Sequence, residues 1–225
     1  MIETRTMYLP IFGVMFLILI GCAPDSIEKG ELALRLGDYE MSKDFFAYKL
    51  QKQPDNYAAR LGMGKALIQE AAAIASDSSW RRALTHLEAA RTIAPHRQEV
   101  LELLGETWSV HARNRLDAGD TVTALHALSK SIEYRPTSVE PLNLAGIIYY
   151  NLGDDEKAAA LFRKAITLDS TNSSAYFNLG MVRWQQKKYG MAHSQWLNAL
   201  QYDPTDDDIV YWFARAEKSL YGEEN

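Results

Sequence analysis

Between Val139 and Pro204 the apolar and small positions run in the same order twice, 34 residues apart. Gly146, Ala158, Phe162 and Ala165 of the first pass fall on Gly180, Ala192, Trp196 and Ala199 of the second. In the second pass Tyr176, Leu179 and Gly180 share one helical face, and Phe177, Met181 and Trp184 form another stripe at i, i+4, i+7. Asn143, Ile147 and Tyr150 keep that spacing upstream, and Tyr211, Arg215 and Lys218 keep it downstream. A period of this length predicts helical units that bury little alone and complete their cores on their neighbours.

The units upstream are variations on the same theme. The first reads Gly30, Leu36-Gly37-Asp38-Tyr39, Ser42, Phe46, Leu50 and Pro54, with helices expected near 26–36 and 39–52 around the Gly-Asp turn. The next two are stretched equally: Gly64 and Gly105, Ala83 and Ala124, Leu87 and Leu128, and Pro95 and Pro136 are each 41 apart. Seven extra residues are close to two helical turns, so they lengthen a helix by about 10 Å without rotating its packed face. The expected places are 69–75, where Ala71-Ala72-Ala73 favours helix, and 111–117. A surface loop closed by Ser76-Asp77-Ser78-Ser79 is the competing reading. Residues 207–221 match a first helix only, with Val210, Phe213 and Ala214 expected on its packing face. Such a helix caps the last interface.

The recurring glycines and alanines, the large aromatic and the Gly-Asp turn resemble the tetratricopeptide (TPR) repeat, over nearly all of residues 23–221. The resemblance implies an all-α chain, an α-α superhelix (TPR solenoid) of about five helix-turn-helix repeats plus a C-terminal capping helix, spanning 26–222 before an acidic tail at 223–225. It implies that paired helices approach closely at the small residues and that the aromatic fills the hole beside them. It also places Asn143, Ile147, Tyr150, Phe177, Met181, Trp184, Tyr211, Arg215 and Lys218 along a concave groove where peptides or partner helices lie. The alternative is that the second helices roof these side chains and they are core. Glu99, Glu102 and Glu106 form an acidic stripe on the same face, giving the groove an acidic middle and an aromatic, basic end. The family's two-carboxylate clamp needs lysines that are missing here, and only Asn178 fits one of its positions.

Composition narrows the picture. The chain is 47% hydrophobic and 24% charged, which suits a folded α protein. A net charge of -5 with no long basic run argues against nucleic-acid binding. The single cysteine, Cys22, excludes an intrachain disulfide and a cysteine-rich zinc site. It closes an almost unbroken apolar run, 11–20, too short to span a bilayer and of signal-peptide length. Leu19-Ile20-Gly21-Cys22 resembles the lipobox of bacterial lipoproteins. That resemblance implies a cleaved signal peptide at 1–21, lipidation (palmitate among the acyl chains) on Cys22, and a short tether at 22–25. Two or three acyl chains anchor stably where one does not. Ala23, where aspartate signals inner-membrane retention, implies an outer-membrane protein facing the periplasm of a two-membrane cell.

No HExxH, GxSxG, P-loop or GxGxxG arrangement is present. His86, His96, His111, His126 and His193 show no ligand spacing and are expected mostly on helix surfaces. Asp206-Asp207-Asp208 is expected to cap the last helix. No catalysis, metal or cofactor is therefore expected. The expected function is that of a membrane-anchored adaptor or scaffold binding other envelope proteins. At the level of architecture it resembles the repeat lipoproteins that serve as secretin pilotins or scaffold envelope assembly. The alternative is a self-associating envelope component, a homodimer through the aromatic Tyr211-Trp212-Phe213 of the C-terminal helix.

Overall fold

A computed structural model describes residues 26–222. Cys22, the expected leader, the tether and the acidic tail lie outside the described residues. Eleven α-helices are present among the described residues: α1 (Ser26–Arg35), α2 (Tyr39–Lys52), α3 (Tyr57–Ile74), α4 (Asp77–Ile93), α5 (Gln98–Asp117), α6 (Thr121–Tyr134), α7 (Glu140–Asn151), α8 (Asp155–Leu168), α9 (Ser173–Gln185), α10 (Tyr189–Tyr202) and α11 (Asp207–Tyr221). They pair as five hairpins followed by one further helix, as expected.

The turns inside the hairpins repeat one chemistry. At the first, the Gly37 N–H donates to the Leu34 carbonyl (3.1 Å) and the Asp38 N–H to that of Ala33 (3.0 Å). Gly37 takes a φ of 77°, which only glycine adopts without strain. Asp38 then caps α2 by accepting from the Met41 N–H at 3.0 Å. Gly119-Asp120 and Gly153-Asp154 do the same. Lys187 holds the glycine position at a φ of 59°, and Lys188 caps α10 without a side-chain bond.

Packing follows the small-residue rule. A Cβ on Gly146 would lie 2.5 Å from Phe162, and one on Gly180 2.3 Å from the Trp196 Nε1. Phe46 fills the matching hole beside both Gly30 and Gly62. Phe46, Phe162 and Trp196 are fully buried, and the Trp196 indole donates to the Phe177 carbonyl at 3.1 Å.

The stretch in the second and third hairpins is helical, not loop. In the third, α5 carries the whole extension through Asp117. In the second it is divided: α3 runs to Ile74, and α4 begins early, at Asp77, capped by Ser76. Ser76-Asp77-Ser78-Ser79 is thus a helix start.

The capping helix differs from expectation. Ile209 and Ala216 are its buried residues, with Trp212 and Phe213 packed beside the Ala192, Trp196 and Ala216 cluster. Val210 and Ala214 are exposed. They occupy the face that a second helix covers in earlier repeats, and no described element covers it here.

The chain divides into two compact units, Met1–Thr107 and Trp108–Asn225. In the first, the α1/α2 and α3/α4 hairpins pack through α2 on α3 and α1 on α3. In the second, Trp108, Ala112 and Leu116 of α5 join Ala124, Ala127 and Leu128 of α6 and Ala145 and Ile148 of α7. Further along, α8 packs on α9 and α10 on α11. No helix among the described residues is long and apolar enough to cross a membrane.

Candidate functional site

Two regions of the second unit receive the residues expected in the groove. The first is an open cleft of about 470 Å³, lined by Arg113, Glu140, Asn143, Ile147, Asn172 and Asn178 among others. Arg113 donates to the Glu140 carboxylate across its rim. Asn143 Nδ2 donates to Asn172 Oδ1 at 3.1 Å, and that same oxygen caps α9 through the Ala175 N–H at 2.9 Å. Asn143 Oδ1 is buried with no hydrogen-bond partner. Ile147 is 37% exposed at the cleft wall. Tyr150, the third member of that stripe, instead packs against Ala158, Phe162, Leu179 and Val182. Burial, helped by Asp155, pushes its phenol pKa up.

The second region joins α9 to α11. Phe177, Met181 and Trp184 are half-buried and pack against Ala192, Trp196 and Ala216. The Trp184 ring centre lies 4.6 Å from Tyr189 and 5.7 Å from both Trp196 and Trp212. The Arg215 guanidinium sits 5.5 Å over Trp184 and 5.0 Å over Trp212, a cation–π arrangement. Tyr211 and Lys218 are exposed. Trp184 and Arg215, on separate stripes in the sequence, therefore form one aromatic-cationic cluster.

Sequence reading missed a third region, in the first unit. A cleft of about 510 Å³ is lined by Glu31, Arg35, Tyr57, Lys65, Arg97 and Glu99 among others. Lys65 Nζ donates to Glu99 Oε1 at 2.7 Å, and the Arg97 guanidinium lies 5.0 Å over the Tyr57 ring. The Tyr57 hydroxyl is buried without a partner, and burial, then Glu99, raises its pKa. The expected acidic stripe is thus partly neutralised. Glu99 is paired to Lys65, and Glu102 accepts from Gln98 at 2.7 Å. Only Glu106 turns into an adjoining cleft, beside Leu34, Lys65 and Ile68. Periodicity gave no signal for it: Lys65 and Glu99 are 34 residues apart in a stretch where the units repeat at 41, so they hold unequal positions.

His96 and His126 are exposed, but His111 is buried against Trp108. His86 is half-buried, with the Arg60 guanidinium 3.2 Å from Nδ1. Since the guanidinium can only donate, Nδ1 accepts and the imidazole is neutral. Burial first, then Arg60 and Arg82, lower its pKa to about 4. No group of three or more His, Cys, Asp or Glu among the described residues could hold a metal ion.

Two clefts and one aromatic-cationic cluster are thus built on the helical hairpins, and comparison with known proteins bears on the fold that places them. The TPR repeat family model matches residues 146–187, from Gly146 to the strained Lys187 turn. Human tetratricopeptide repeat protein 6 is 26% identical over 95 residues, 42% of this chain and 18% of its own length. The BBSome complex member BBS4 of Bos taurus is 25% identical over 214 residues, covering 78% of this chain and 40% of its own. The chain thus spans less than half the length of these relatives. Among solved structures, YrrB, described as a TPR protein with an unusual peptide-binding site, superposes with TM-score 0.55 at 16% identity over 93% of this chain and 98% of its own. The C-terminal part of a TPR repeat-containing protein from Cytophaga hutchinsonii gives 0.60 at 15% identity over 86% and 70%. The first TPR of Spaghetti (RPAP3), bound to the HSP90 peptide SRMEEVD, gives 0.51 at 15% identity over 53% and 97%. The fold is therefore the helical-hairpin array of TPR structures.

Proposed function

We propose that this chain is a lipid-anchored adaptor of the bacterial cell envelope that captures a peptide or helical segment of another envelope protein on its first-helix face. The observation that carries the capture is the Asn143 cleft. Its buried Oδ1 is an acceptor with no partner in the chain, and exposed Ile147 and the polar Asn178 line the same cleft. An extended segment laid across it would supply a main-chain N–H to Asn143 and an apolar side chain to Ile147. A buried acceptor left unsatisfied costs about 1–3 kcal/mol, which such a segment recovers on binding. TPR structures of this fold include peptide-bound ones, which supports the same use here. Cys22 supplies the thiol for the anchor, and the outer membrane facing the periplasm is the proposed location.

The test is site-specific photocrosslinking in cells from a photoreactive residue at 147, followed by mass spectrometry. One envelope protein should be captured through a defined segment, and Asn143→Leu should reduce that capture. Equal crosslinking from Val122 on α6, which is 81% exposed, would refute a specific cleft.

A further inference from the structure

Counted by the repeat, α11 is a first helix whose small-residue position is Ala214, 34 after Gly180 and 68 after Gly146. In α7 and α9 that position lies under an aromatic side chain of the following helix, Phe162 or Trp196. In α11 it is exposed, flanked by Val210 and Tyr211 at 45% and 57% exposure. The outward side of the helix therefore runs Asp207, Tyr211, Ala214, Lys218 and Tyr221, the spacing of a helix-pairing seam. Tyr211 is held ready on it. Its ring stands edge-on to Trp212 at 5.6 Å, and Arg215 Nη1 donates to its hydroxyl at 3.4 Å.

The seam is also polarised. Asp206 caps the helix and Asp207 and Asp208 occupy its first turn, while Arg215 and Lys218 lie in its second half. A parallel copy would set like charges together. An antiparallel copy in one register opposes Asp207 to Lys218, and the same register opposes Tyr211 to Ala214. Both contacts recur twice about a two-fold axis, the self-complementarity that an isologous interface requires. We infer that the outer face of α11 pairs antiparallel with α11 of a second copy. Tyr211 of each copy covers Ala214 of the other, as Trp196 covers Gly180 within the chain. This pairing does not depend on the Asn143 cleft. A chain that stays monomeric but still crosslinks from position 147 sinks the pairing and leaves partner capture standing.

The experiment is sedimentation equilibrium of the full chain in a density-matched nonionic detergent, with circular dichroism to follow helix content. The wild-type chain should be dimeric. Asp207→Lys and Lys218→Glu each place like charges opposite one another twice and should weaken the dimer roughly tenfold or more. The double variant should recover it, and a mixture of the two single variants should form a heterodimer. A monomeric wild type overturns the inference. So does a dimer indifferent to both single reversals, or one that neither the double variant nor the mixture restores at unchanged helix content.

Discussion

At the scale of single residues, the fold rests on a contrast between glycines that must be glycine and positions that merely resemble them. A methyl group on Gly180 would press into the buried Trp196 ring at 2.3 Å. Gly180→Ala should therefore cost about 1–3 kcal/mol, the usual penalty for overpacking. A Cβ on Gly190 would meet only Leu220 Cδ2 at 3.9 Å, an ordinary contact. Gly190→Ala should stabilise by about 0.5–1 kcal/mol through helix propensity alone. Urea unfolding of the two variants, one falling and one rising, checks both. The Lys187-Lys188 turn is a local conflict of the same kind, since it copies the backbone of Gly153-Asp154 without its chemistry. Replacing it by Gly-Asp should relieve the left-handed lysine and add the missing cap, a combined gain of about 1–2 kcal/mol in the same assay. Close approaches of this sort were legible through the resemblance to TPR repeats, in which a small residue and an aromatic at fixed offset state a packing relation. Which way Tyr150 or His111 turns was not, because a half-apolar side chain on a helix flank can serve cleft or core.

At the scale of elements, helix boundaries followed from the repeat wherever a Gly-Asp turn marked them. The second hairpin lacked one, so the sequence located its seven extra residues but not their division between α3 and α4. The division has an electrostatic companion. Lys43 of α2, almost fully buried, donates at 2.8 Å to Glu40 and at 2.8 Å to Glu70 in the last part of α3. Burial opposes ionisation of both partners, but the hydrogen bond and charge of Lys43 outweigh it at Glu70 and hold its pKa below the usual carboxylate value. Stability from Glu70 is thus present above its unfolded pKa and is lost as pH falls through the lower folded one. His86 acts in the same direction at higher pH. Its pKa is about 4 in the folded chain against 6.5 in the free side chain, so the unfolded chain binds the extra proton first and stability declines as pH falls from 6.5 towards 4. Urea midpoints measured across that window should drop for the wild type, and His86→Gln should flatten the slope. An unchanged slope would show that His86 is charged in the fold. On α11 Phe213 packs as expected, whereas Val210 and Ala214 were misassigned for a different reason: periodicity identifies which face expects a neighbour, not whether one arrives.

At the scale of the whole molecule, five hairpins and a closing helix were legible from the 34-residue and 41-residue periods, and the binding face only in part. Stripes at helical spacing found Asn143 and Ile147, yet the Tyr57, Lys65 and Glu99 cleft depends on charges brought together from different repeats. The proposed lipid anchor would govern where the whole chain resides, and it has a direct check. Cys22→Ser should leave the protein unacylated and move it from the membrane to the soluble fraction, with its helical content unchanged. Unaltered fractionation would contradict lipidation at that thiol. Three of the five tryptophans, Trp184, Trp196 and Trp212, stand with ring centres 5.7 Å apart in each pairing. Indoles so close couple their electronic transitions, so the C-terminal end of the array should give its own exciton couplet in the far-ultraviolet dichroism. Loss of that couplet during heating would time the opening of this end against the melting of the remaining helices, with no label attached.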